Sequence, residues 1–177
     1  MKRLLVVVEY QNDFVDGALG FDGAELLDEK IAARVREYGR GNVIFTRDTH
    51  FDDYLNTREG KLLPVPHCIK GTHGHDIYGK TKAALEEIGA HGFDKTSFGL
   101  KIDESVRKYL PGDVDEIELA GLVSNICVLS NAVVFQTEYP QARITVDASL
   151  TGGADRELTE KALDVLEGIQ VRVSNRR

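Results

Sequence analysis

Two groups of residues in this sequence have the types and spacing to do chemistry. The first centres on Cys127 in Gly121-Leu-Val-Ser-Asn-Ile-Cys127-Val, about one turn into a segment that reads as a helix directly after an apolar run. At such a terminus, unpaired backbone N–H groups and the positive end of the helix dipole lower a thiol's pKa and can bind a developing oxyanion. Ser124 is placed to cap that terminus, so a thiolate nucleophile is the expected chemistry. The second group is Asp48 and His50 in Arg47-Asp48-Thr49-His50, together with His67 after Pro64-Val65-Pro66. One carboxylate and two imidazoles are donors suited to zinc, manganese or iron. His73 and His75 stand among Gly71, Gly74 and Asp76, which read as a solvated turn. They are given no role, and neither is His91.

The elements that must position these residues alternate along the chain. Leu4 to Val8 is a continuous valine-rich run, as in a strand buried on both faces of a parallel sheet. Val43 to Thr46, Ile117 to Leu122 and Ile144 to Val146 resemble it, and Ile169 to Val173 supplies a last strand. Between them lie amphipathic stretches, Ala24 to Tyr38, Lys80 to Ile88, Asn125 to Thr137 and Arg156 to Glu167, each long enough for a helix. Strand and helix in alternation predict βαβ units with right-handed crossovers. The fold class is therefore α/β: a three-layer α/β/α, Rossmann-like arrangement with a mostly parallel sheet and helices on both faces. Ligands in such folds collect beyond the carboxyl ends of the strands, where Glu9, Asp48, Val123 and Asp147 fall. Thr49 to Ile77 is a long connection without a clear period, and loops of that length are usually functional.

At 177 residues the chain is long enough for one domain with a sizeable core and short for two, so residues 1–177 are read as a single domain. A formal net charge of −7 without a basic run argues against nucleic acid and anionic membranes as partners. The five-residue apolar run at the N-terminus is too short for a signal or spanning segment. A cytoplasmic location is expected, with Cys68 and Cys127 as free thiols.

Most free cysteines are small buried hydrophobes, and three further observations set that reading aside for Cys127. Val7-Val8-Glu9-Tyr10-Gln11-Asn12-Asp13-Phe14, Asp94-Lys95-Thr96-Ser97-Phe98-Gly99 and Gly121 to Val128 resemble, in order and spacing, the three motifs of the nicotinamidase and isochorismatase-like hydrolases. The resemblance runs from Leu4 to about Val173. It implies a triad of Glu9, Lys95 and Cys127, with glutamate where the family has aspartate. It also implies an oxyanion hole from the backbone N–H groups of Val123 and Cys127, with a cis peptide at Leu122-Val123. Asp48, His50 and His67 would hold a divalent metal ion, zinc ahead of manganese or iron, with Glu59 as a further ligand. That ion would anchor the ring nitrogen of the substrate, while Phe14 and Leu19 would line its pocket.

The function implied is a cysteine-dependent amidohydrolase that turns nicotinamide or a similar aromatic amide into acid and ammonia through a thioester on Cys127. Its partners would be a small-molecule amide and further copies of the chain in a homo-oligomer. Glutamate is longer than aspartate by about 1.5 Å, and misplacement by about 1 Å can cost on the order of a hundredfold in rate. Two alternatives therefore stay open: a hydrolase of another small amide or ester, and a non-catalytic member that binds ligand or metal.

Overall fold

The computed structural model describes residues 1–176. Its centre is β1 (Arg3–Val8), whose side chains alternate between two apolar clusters: Leu4, Val6 and Val8 enter one, Leu5 and Val7 the other. Val6, Val7 and Val8 are fully buried, and each such side chain contributes roughly 1.5–3 kcal/mol on leaving water. A strand apolar on both faces requires cover on both sides, and that requirement makes the three layers.

The remaining strands are β2 (Val43–Asp48), β3 (His91–Lys95), β4 (Glu116–Leu122), β5 (Arg143–Gly152) and β6 (Arg172–Ser174). They form one sheet in the order β3-β2-β1-β4-β5-β6, with every neighbouring pair parallel. The helices are α1 (Asn12–Val15), α2 (Asp28–Tyr38), α3 (Arg58–Leu62), α4 (Gly79–Ile88), α5 (Glu104–Arg107), α6 (Leu129–Glu138) and α7 (Arg156–Gly168). Ile31, Ala32 and Val35 of α2 and Ala84, Leu85 and Ile88 of α4 pack into the cluster on one face. Val106 of α5, Ala132 and Phe135 of α6, and Leu163 and Leu166 of α7 pack into the other. Among the described residues no helix is long and apolar enough to cross a membrane.

Several boundaries differ from those read in the sequence. β3 has no apolar run because it is an edge strand, and of its five residues only Phe93 and Lys95 are buried. The stretch from Ala24 to Tyr38 begins as a 3-10 turn, Ala24–Leu27, before α2. β5 runs well past Val146 to Gly152 through an irregularity opposite Leu119 to Gly121. The last strand starts later than Ile169, because α7 extends to Gly168 and Gln170 turns the chain with φ 70°. The long connection contains α3 and two 3-10 turns.

Candidate active site

From β1 the chain steps outward to β2 and β3, then crosses back to place β4 on the other side of β1. This reversal opens a crevice beyond the ends of β1 and β4. Glu9 follows β1, Asp48 ends β2, Lys95 ends β3, and Cys127 lies just after β4. Gly121 lets the two central strands close up: its φ is 112°, and a Cβ there would collide with the Val8 backbone. Only glycine meets both conditions.

At the head of the crevice the Lys95 ammonium donates to Glu9 Oε1 at 2.5 Å and to the Ser97 carbonyl at 2.6 Å, and stands 4.0 Å from Cys127 Sγ. Thr46 Oγ1 also faces Glu9 Oε1, at 3.4 Å. Glu9 Oε2 is buried without a well-formed hydrogen bond, yet the carboxyl and the Cys127 thiol are near enough to set each other's titration. Burial pushes the Glu9 carboxyl up to about 7, against the opposing pull of Lys95. Burial would lower the Lys95 ammonium, but Glu9 and its other anionic neighbours more than offset this and hold it above its ordinary value.

The Cys127 thiol is pushed well up by burial and then by the charge of Glu9. The resting side chain is therefore a thiol beside a proton acceptor, which corrects the expectation of a thiolate stabilised by the helix terminus. Ser124 does not cap that terminus either: its hydroxyl pairs with Thr151 Oγ1 at 2.7 Å, and Val123 takes the N-cap position. The first turn, Ser124–Val128, is a π turn. In it the Val123 carbonyl accepts from Ile126 and Val128, the residues on either side of Cys127, each at 3.2 Å. The Leu122-Val123 peptide is cis.

Beside this group the ligand atoms of Asp48, His50, Glu59 and His67 converge within 4.8 Å of one another. Asp48 Oδ2 is 3.0 Å from His50 Nε2 and 3.3 Å from His67 Nε2, while Glu59 Oε1 is 3.8 and 3.9 Å from the same two nitrogens. His67 Nδ1 donates to the Val65 carbonyl at 2.8 Å, which fixes the tautomer and leaves Nε2 as a lone pair. Burial works against the Asp48 carboxylate, but His50 and His67 hold its pKa below the usual range. Two aimed imidazole nitrogens and two carboxylates, one of them buried, fit a divalent cation.

Both clusters open on a cavity of about 520 Å³, whose lining includes Phe14, Leu19, Val123 and Cys127 together with Asp48, Glu59 and His67. The Isochorismatase domain family model matches residues 3–176. The chain belongs to the isochorismatase family.

Relatives of this isochorismatase-family chain include an uncharacterized family protein of Bacillus subtilis, 32% identical over 146 residues that cover 75% of this chain and 78% of that protein. A nicotinamidase/pyrazinamidase of Mycobacterium tuberculosis is 28% identical over 184 residues, covering 96% of each. The crystal structure of a nicotinamidase/pyrazinamidase from Bacillus subtilis superposes with a TM-score of 0.86 at 26% identity, covering 99% of this chain and 100% of that one.

The site residues singled out in the sequence lie at this end of the sheet, with one exception. Asp147 does not: β5 continues past it, and it is buried against Arg34, Ser149 and Asn175. His75 also departs from its expected place in a solvated turn. It is buried, and its Nε2 meets Thr49 Oγ1 at 2.9 Å.

Two supporting residues escaped the sequence reading. Gln11 is fully buried: its amide nitrogen donates to the carbonyls of Asp48 and His75, both at 2.9 Å, and its oxygen accepts from the Asp48 N–H at 2.7 Å. Asn131 donates to the carbonyls of Cys127 (2.8 Å) and Phe98 (3.1 Å) and accepts from Leu100 N at 2.9 Å. It thus ties the cysteine helix to the loop after Lys95. Its position four residues after Cys127 on one helix face was the available signal.

Proposed function

We propose that this isochorismatase-family chain is a cysteine amidohydrolase of the nicotinamidase type, converting nicotinamide or a closely similar aromatic amide to the acid and ammonia. The observation that carries the reading is the contact of Lys95 with both Glu9 and Cys127 at the head of a cavity that also reaches the Asp48, His50, Glu59 and His67 cluster.

In this reading Glu9 takes the thiol proton of Cys127 as Sγ bonds to the amide carbonyl carbon. The N–H groups of Val123 and Cys127 receive the oxyanion. Glu9 then returns the proton to the nitrogen as the C–N bond breaks, releasing ammonia and leaving a thioester. Water adds to the thioester carbonyl with Glu9 again as base, the C–S bond breaks, and the acid leaves as the thiol is restored. Lys95 keeps its positive charge throughout and balances whichever of Glu9 and Cys127 is anionic. Phe14 and Leu19 offer an apolar wall to a planar ring.

Asp48, His50, His67 and Glu59 would hold the divalent ion. We read it as zinc, since nitrogen and carboxylate donors in a set of four suit it and it outranks manganese and iron in affinity. When bound, such an ion supplies Lewis acidity to an electron-pair donor on the substrate and so anchors it. The same reading takes the protein as a cytoplasmic homo-oligomer, which light scattering of the purified chain checks for assembly.

The deciding experiment is ammonia release from nicotinamide by metal-loaded protein. Turnover that Cys127→Ala eliminates supports the proposal. Turnover unchanged by that substitution refutes it, and turnover only of other amides or esters moves the chain to a different substrate within the same chemistry.

A further inference from the structure

We propose that the substrate carries an apolar substituent beyond its reacting amide and ring, and that Leu62, Leu63 and Phe98 bind that substituent. The inference rests on the amidohydrolase reading above and narrows its substrate class.

The cavity volume of about 520 Å³ falls in the range of roughly 300–1,000 Å³ that encloses drug-sized ligands. A single-ring amide of nine non-hydrogen atoms, nicotinamide, fills only part of it. The walls say what belongs in the rest. Leu62, Leu63 and Phe98 line the cavity and yet are 75%, 38% and 41% exposed. Apolar surface left open around a site marks where a ligand completes the burial.

The placement of Leu62 follows from α3. Thr57 caps this short helix by accepting from Gly60 N at 3.0 Å. Glu59, in the metal cluster, and Leu62 are three residues apart on it, and that spacing sets them on one face. The same helix therefore presents one side chain to the metal cluster and the next turn's leucine to the outer cavity. Phe98 lines the same cavity from the loop after Lys95, where the Asn131 amide holds its carbonyl.

Desolvation disfavours the main alternative, an anionic substituent. With a divalent ion held by Asp48 and Glu59, the charges left among the described lining residues are Arg58 and Asp155, which balance. Lys95 is already committed to Glu9 and the Ser97 carbonyl. An added carboxylate would leave water for a wall of no net charge, whereas an alkyl or aryl group would meet leucine and phenylalanine.

The test measures binding separately from turnover. Metal-loaded Cys127→Ala protein is titrated calorimetrically with nicotinamide, with nicotinamides bearing an n-propyl group at ring carbon 5 or 6, and with the carboxyethyl counterparts. Each buried methylene is worth about fourfold in affinity, so at least one propyl isomer should bind about tenfold or more tighter than nicotinamide. Its carboxyethyl counterpart should bind at least tenfold more weakly than the propyl compound. Leu62→Ser and Phe98→Ser, each added to Cys127→Ala, should each cut the propyl gain by threefold or more. Leu62 is exposed enough for the first of these to leave folding intact. Propyl compounds that bind no tighter than nicotinamide, or a gain that survives both substitutions, would overturn the inference. Ammonia release by the wild-type protein is followed in parallel. A propyl preference without turnover supports the apolar subsite and sinks the amidohydrolase reading alone, while nicotinamide turnover without that preference does the reverse.

Discussion

Lys95 Nζ and Glu9 Oε1 are 2.5 Å apart, and both residues are buried. Glutamate's extra methylene is therefore used to reach the ammonium, with no surplus length left over. From the sequence alone, aspartate at position 9 would be expected to preserve or raise activity. The observed contact reverses that sign, because Glu9→Asp withdraws the carboxylate by about 1.5 Å. We expect kcat/KM to fall on the order of a hundredfold in Glu9→Asp and further in Glu9→Ala, measured as ammonia release. An aspartate variant as fast as the parent would show that the carboxylate acts from a different position.

Glu9 also sets a pH dependence in which activity and stability run in opposite directions. As the base, the carboxyl must be ionised, so kcat/KM should rise with pH through about 7, the value to which burial lifts it. For stability, an unfolded glutamate loses its proton near 4.5 while the folded one keeps it to about 7. In that window the native state binds the extra proton, so stability falls as pH rises. Glu9→Gln should abolish activity and flatten this part of the stability profile, which urea midpoints between pH 4.5 and 7.5 would show. A profile with the same slope in the variant would assign the effect to another group.

What the sequence made legible follows from where each residue sits. The runs Leu4 to Val8 and Ile117 to Leu122 became central strands, because burial on both faces leaves a continuous apolar signature. β3 left no such trace at the sheet edge, so Lys95 was placed by its motif without its strand being seen. Asp48, His50 and His67 were legible as a group because their donors are chemically distinctive, whereas Glu59, which the fold brings beside them, came only with the family resemblance. Gln11 and Asn131 were not, since an amide's role depends on which buried backbone groups surround it in three dimensions. The thiol's protonation was misread for a related reason: helix position is local and visible in sequence, whereas burial beside Glu9 is tertiary.

Metal removal should separate anchoring from chemistry. Stripping the protein with a chelator is expected to raise KM more than it lowers kcat, because the cluster adjoins the cavity while the proposed mechanism gives the proton and the acyl group to Glu9 and Cys127. One equivalent of zinc should restore the parent KM. At a free metal concentration about 100-fold above Kd, the folded state gains about 2.7 kcal/mol, seen as a rise in Tm. His67→Ala should lose both the Tm rise and the low KM. Chelation that leaves KM untouched and eliminates kcat would place the ion in the chemical step.

Asn131 offers a test of positioning that does not touch the reacting atoms. Its fully buried amide holds the Cys127 and Phe98 carbonyls and the Leu100 N–H. Asn131→Ala leaves these groups unpartnered, at about 1–3 kcal/mol for each that stays unsatisfied, so Tm should drop clearly. Loss of structure alone would stop there. If the amide also fixes Cys127 relative to Lys95, kcat should fall at least tenfold at temperatures where the variant is fully folded, with KM changed much less. Asn131→Asp keeps the acceptor for Leu100 N but sets a carboxylate against two carbonyl oxygens, so it should be no better than alanine. A folded Asn131→Ala protein with parental kcat would reduce this residue to a purely structural tie.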